Sequence, residues 1–206
     1  MCVCVWLLLL GVLFDMQYRD IISVENLFQA WNEFKKGKRG KRDVQIFERN
    51  LEDNLFSLRE TLLRKTYKHG PSQEFYVEDP KRRHIHKAQV KDRVLHHLLY
   101  KFLYRLWDKT FIHDSYSCRL EKGTHRGVKR LFSLIRKVSK NYTGSCWALK
   151  CDIRIFFAAI DHGILLNILS KKVKDKDIFL LLNEIVGSFN SNLGEGKWIP
   201  LGNLTS

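Results

Sequence analysis

Proline is scarce, three in 206 residues, and no proline-rich linker or internal repeat interrupts the chain. Cysteine is present five times, at Cys2, Cys4, Cys118, Cys146 and Cys151, but never in a Cys-x-x-Cys pair. An odd count without that spacing excludes a disulfide framework and a zinc ribbon, and fits a reducing, cytoplasmic setting. Acidic residues are in deficit, 22 against 36 lysines and arginines, which leaves a formal net charge of +14. Such an excess points to a polyanionic partner, nucleic acid first and an anionic membrane surface second. Long hydrophobic runs are missing too. The opening "MCVCVWLLLLGVLF" is apolar, but a membrane span needs about 20 residues. It also lacks the positive start and small-residue cleavage site of a signal peptide. Residues 1–15 therefore read as an apolar leader, with translation expected to begin at Met16.

What the sequence does have is core-forming material, with 45 % hydrophobic and 12 % aromatic residues. The expected fold class is α+β, mostly helical with short antiparallel strands. Val24 to Phe34 reads as a helix with Leu27, Phe28 and Trp31 on one face. "KKGKRGKR" at 35–42 carries the lysines and glycines of a phosphate loop without its order, so it is either a solvated turn or a nucleic-acid contact. Asp43 is placed to cap one long helix striped by Val44, Phe47, Leu51, Leu55, Leu58 and Leu62, stopped by Gly70-Pro71. "EFYVEDPKRRHIHKA" (74–88) reads as two strands around Asp79-Pro80, the second loaded with Lys81, Arg82, Arg83, His84, His86 and Lys87. His84-x-His86 and the adjacent His96 and His97 hint at zinc, but no cysteine or carboxylate stands at ligand spacing. A buried helix over Val94–Leu106, a polar loop at 113–127 and a basic helix to about Lys140 follow. Asp161 is placed to cap the next helix, and an apolar helix covers about Lys176 to Phe189. The sequons at Asn141 and Asn203 are ordinary chance matches.

"LKCDIRIFFAAIDH" (149–162) sets an aspartate inside an apolar, strand-like run. A buried carboxylate costs several kcal/mol unless it is paired or holds a metal. Alternation puts Lys150, Asp152 and Arg154 on a polar face, with Leu149, Cys151 and Ile153 packed on helices. Asp152 then stands at a working surface, or in a simple salt bridge with a neighbour.

Asp152-x-x-x-x-Phe157, closed by Ile160-Asp161-His162, resembles the first catalytic motif of reverse transcriptases. Residues 81–128 resemble their fingers segment, with Asp92-Arg93-Val94, Ser115-Tyr116-x-x-Arg119 and Lys122-Gly123-Thr124-His125 in order. "IPLGNLTS" (199–206) resembles the loop and helix before the second set of catalytic carboxylates. Leu201-Gly202 stands where Gln-Gly is usual. That form is similar to the bacterial enzymes of diversity-generating retroelements and to related unclassified bacterial types rather than to a typical intron maturase.

The resemblance implies an RNA-directed DNA polymerase of right-hand architecture. Residues 16–140 would be fingers and 141–206 an incomplete palm. Asp152 would hold Mg2+ with help from the Ile153 carbonyl, and Phe157 would be the gate under the nucleotide sugar, Phe156 being core. Arg83, with Lys81 second, would grip the triphosphate of a dNTP. Arg119 and Arg126 would touch the backbone of an RNA template or DNA primer. No stable membrane association is expected. The Tyr-x-Asp-Asp hairpin and thumb of the family do not occur in the sequence. The expectation is thus a fragment inactive alone, missing its C-terminal palm and thumb segment. The competing expectation is a non-catalytic RNA-binding module derived from the fingers.

Overall fold

The computed structural model describes residues 17–78, 82–189 and 196–200. The leader, Met16, Asp79-Pro80 and the "LGNLTS" end lie outside the described residues, as does Lys81. The chain divides into two compact units. Residues up to Phe102 and from Ile155 onward make the first, and Leu103–Arg154 makes the second.

The first unit is a helical core carrying one hairpin. A short helix α1 (Tyr18–Ile21) leads into α2 (Val24–Phe34), as expected from its apolar period. Ser23 caps α2 by accepting from the Asn26 amide, which satisfies one of the orphan N–H groups of a helix start. Leu27 and Trp31 are buried, and the Trp31 ring lies 5.2 Å from that of Phe47. The single helix expected over 44–62 is two. α3 (Arg42–Arg49) and α4 (Leu51–Leu63) meet at Asn50, whose backbone leaves helical space. Asn54 Nδ2 donates to the Phe47 carbonyl freed there. Each helix keeps its share of the stripe, since Val44, Leu55, Leu58 and Leu62 are buried. Asp43 is not a cap. It lies within the first turn of α3 and pairs with Lys87 and Arg93.

α4 also ends before Gly70-Pro71. Lys65 adopts a left-handed φ of 57°, and the Thr66 amide reaches back to the Thr61 carbonyl. That closing turn satisfies the last carbonyls of the helix. Gly70 has a different duty: a Cβ there would stand 2.7 Å from Gln89 and 2.9 Å from the Asp92 carboxylate. Its amide donates to Asp92 Oδ2 (3.1 Å), and the Tyr67 hydroxyl donates to Oδ1 (2.7 Å). Asp92 is wholly buried, and these two donors offset the desolvation of its carboxylate. Burial, then the Asp92 charge, push the Tyr67 hydroxyl pKa up.

The expected strands form as β1 (Gln73–Val77) and β2 (Arg83–Lys87), an antiparallel pair with Glu74 opposite His86 and Tyr76 opposite His84. The buried helix is α5 (Val90–Trp107), with Val94, Leu95, Leu98 and Leu99 in the core. α6 (Gly123–Val138) lies in the second unit. The first unit resumes with α7 (Phe156–Ala159), α8 (His162–Ser170) and α9 (Lys176–Gly187). Asp161 does cap α8, accepting from the Ile164 amide at 2.9 Å. α8 packs on α9, and α4 packs on α2 and α3. No described helix is long and apolar enough to cross a membrane.

The strand expected around Cys151 is not formed. Residues 145–153 have no regular structure, and Leu149 is 91 % exposed. A strand is held by hydrogen bonds to a neighbour. Among the described residues the only sheet is the β1–β2 pair. Alternation in the sequence therefore has no ladder to act on.

Candidate nucleic-acid interface

Asp152 is exposed and makes no ion pair among the described residues, so neither burial nor a salt bridge with Lys150 or Arg154 describes it. A solvated carboxylate needs no metal to offset its desolvation. Ile153 is exposed as well. Among the described residues, the one cluster of three metal-ligating side chains is elsewhere, at Glu74, His84 and His86. Mg2+ demands near-ideal octahedral oxygen donors. One carboxylate and one neighbouring carbonyl do not make that set, so the described residues around Asp152 do not fit the expected ion.

Phe157 and Arg83 both belong to the first unit, whereas Asp152 belongs to the second. Phe157 is half-buried, and its carbonyl accepts from the Ile199 amide at 2.9 Å. The next link of the same strap is the Trp198 amide donating to Ile160 (2.9 Å), and the Trp198 ring meets His86 edge-on at 4.4 Å. The turn that holds Phe157 is thereby tied to β2. Phe156, expected in the core, is the exposed ring of the pair, packed edge-to-face on Phe157. The cause is local. Ile155 sits at a left-handed φ of 50° before α7 and turns the chain so that Phe156 faces out.

Arg83 opens β2, exposed and without an ion pair among the described residues. Arg82 instead lies 4.2 Å above the Tyr76 ring. The foot of the hairpin is fixed by Asp43, which receives Lys87 at 2.7 Å and also Arg93. Burial opposes ionisation of Asp43, but hydrogen bonds from Lys87 and Arg93 hold its pKa below the ordinary value. In the 35–42 turn, Lys35 pairs with Glu48 and Lys38 donates to the Phe34 carbonyl. Lys36, Arg39 and Lys41 stay exposed and form no ion pair among the described residues.

In the second unit Arg119 is an internal brace. Its Nε donates to Asp108 Oδ1 (2.8 Å), Nη2 to the Asp108 carbonyl (3.0 Å), and Nη1 to the carbonyls of Ile112 (3.1 Å) and Ser115 (3.3 Å). With these donors engaged, Arg119 shapes the loop. Hydrogen bonds from Arg119 and Tyr104 keep the Asp108 carboxyl low. Arg130 does the same for Asp114, whose pKa falls to about 2. Arg126 is exposed, with one bond to the Glu121 carbonyl. Lys129 and Lys137 project from α6 without ion pairs among the described residues.

No known family profile matches the chain. It is 22 % identical over 151 residues to "Nuclear intron maturase 2, mitochondrial" of Arabidopsis thaliana, covering 66 % of this chain and 20 % of that protein. It is 20 % identical over 167 residues to "Protein YkfC" of Escherichia coli K12, covering 78 % and 43 %. Against "Nuclear intron maturase 1, mitochondrial" of Arabidopsis the identity is 27 % over 92 residues, covering 45 % and 12 %. The chain spans less than half the length of each of these relatives. Two of the three are named maturases, so the expected affinity for the diversity-generating type, set apart from intron maturases, gains nothing from them. The chain is a distant, low-identity relative of proteins named as intron maturases.

Proposed function

We propose that this chain is a reverse-transcriptase-related domain that binds RNA through its surface cations. The observation that carries the reading is selective pairing. Lys35, Lys68, Lys87, Arg93, Lys101 and Arg119 are neutralised by carboxylates. Arg83, Lys36, Arg39, Lys41, Lys129 and Lys137 have no such partner among the described residues. Unneutralised cations bind phosphates by releasing condensed counterions. The intron named in two relatives makes RNA the polyanion of choice over DNA or a membrane surface. Purified chain should bind RNA with a log–log salt slope that falls by about 0.7 for each removed phosphate contact on a single strand. Arg83→Ala and Lys129→Ala should each lower it, and a slope untouched by both would defeat the proposal.

Nucleotidyl transfer is the narrower reading, with residues 16–140 as fingers and 141–206 as part of a palm. It adds a DNA primer, dNTP and Mg2+ as partners. Arg83 would hold the triphosphate and Phe157 the sugar, while Asp152 and the Ile153 carbonyl would be only part of the donor set that the metal requires. Its specific support is Arg83, without an ion pair among the described residues, on a hairpin tied through Trp198 to the turn bearing Phe157. The donor set at Asp152 is too small for the ion, so this chain alone should not extend a primer on an RNA template. Extension abolished by Asp152→Ala would overturn that expectation.

A further inference from the structure

The cross-strand register of the hairpin supplies what the linear sequence withholds. His84 and His86 are two apart on β2 and share one face of the strand. Glu74 lies directly opposite His86, which puts its carboxylate on that same face. His84 Nε2 is 3.2 Å from Glu74 Oε2, and His86 Nδ1 is 3.5 Å from Glu74 Oε1. The two imidazoles approach to 3.1 Å, His86 Nε2 to His84 Nδ1. One donor atom from each of the three residues lies within 4.8 Å of the others.

We infer that Glu74, His84 and His86 form a binding site for a divalent transition metal of the zinc class. Bonds of about 2.0–2.1 Å to tetrahedral zinc place neighbouring donors about 3.3 Å apart. The close approaches of 3.1–3.5 Å use different atoms of each residue, so ligation draws together the single donor atoms that lie within 4.8 Å of one another by side-chain rotation. Three protein ligands leave the fourth position to water, and the exposure of Glu74 opens it to solvent. Two imidazoles and a carboxylate suit zinc and its neighbours and disfavour Mg2+. The site therefore differs in chemistry from the Mg2+ site that the sequence resemblance implies.

The rings are also held. His84 stacks on Tyr76 with centroids 4.6 Å apart and planes 11° apart, and Arg82 covers the other side of the stack. His86 is braced edge-on by Trp198. Fixed ring planes lower the ordering cost of ligation, as outer contacts do around metal-bound histidines. A metal here would link β1 to β2. An isolated two-stranded hairpin is marginal in water, so part of the binding free energy becomes hairpin stability. The exposed Arg83 is the first residue of the strand that would be fixed.

The test is calorimetric titration of the reduced 206-residue chain with Zn2+, with Mg2+ as a control, followed by X-ray absorption of the Zn2+ complex. One equivalent of Zn2+ should bind. Glu74→Gln and His84→Gln should each weaken it tenfold or more. Cys151→Ser should leave it unchanged, since exposed thiols are the competing zinc ligands. The absorption spectrum should show two imidazole shells and no sulfur at about 2.3 Å. That measurement on the wild type decides the matter even if a variant misfolds. A sulfur shell, a single imidazole, or an affinity untouched by the Glu74 and His84 variants would overturn the assignment.

Discussion

The two units differ in what holds them. Every buried apolar side chain among the described residues lies in the first, from Tyr18 through Leu99 and again from Val173 to Ile199. The second buries none. Its helix α6 exposes Val128, Leu131, Phe132 and Val138, and beyond it Trp147 is 94 % exposed. Its order rests on local polar clamps, Arg119 with Asp108 and Arg130 with Asp114. Exposed ion pairs contribute little, whereas each buried large side chain contributes about 1.5–3 kcal/mol. Cationic and candidate contact residues occur in both units, but only the first gives them a packed base. The difference teaches that charge can be laid on any scaffold, whereas a converging donor set such as the one proposed at Glu74, His84 and His86 needs a hairpin braced by its neighbours.

The sharpest way to break this contrast is a matched pair of truncations. Trp31→Ala, at a fully buried site, should cost about 3–5 kcal/mol in denaturant unfolding. Phe132→Ala, 57 % exposed, should stay within about 0.5 kcal/mol. Similar costs would mean that the second unit has a core after all.

Acid should separate the units by window. His96 is fully buried with neither ring nitrogen hydrogen-bonded among the described residues, and burial, then the charges of His69, His97 and Arg93, lower its pKa from 6.5 to about 3. The unfolded state then takes up a proton that the folded state refuses. Stability is full above pH 6.5 and should fall by about 1.4 kcal/mol per pH unit as pH drops toward the folded value. His96→Leu should flatten that slope. In the second unit Asp108 and Asp114 are depressed carboxylates. Their contribution is present above the ordinary carboxylate pKa and is lost only as pH falls below it. Segment-resolved hydrogen exchange at pH 5 should show weakening in the first unit alone. Equal weakening in both would remove the distinction.

The smallest effect concerns the brace. Arg119→Lys keeps the charge and loses the planar fork. Limited proteolysis within 108–122 should quicken while the unfolding midpoint of the first unit holds. An unchanged cleavage rate would show that the fork is not what orders the loop.

The sequence alone determined the elements whose cause is local. α2, β1, β2, α5 and α9 follow from apolar periodicity, turn residues and strand propensity, and the Asp161 cap needs only the three residues after it. The basic excess is likewise a property of composition. The tertiary structure decided wherever the deciding partner is distant in sequence. Asp43 looked like a cap until Lys87 and Arg93 reached it, and the partners of Arg119, Asp108 and the carbonyls of Ile112 and Ser115, are set by the folding of the loop. The run at Cys151 has the pattern of a strand, but a strand exists only when a second one completes its hydrogen bonds. His84 and His86 showed no third donor because Glu74 is ten and twelve residues away along the chain; only the antiparallel register, which fixes which side chains face each other, sets it opposite His86.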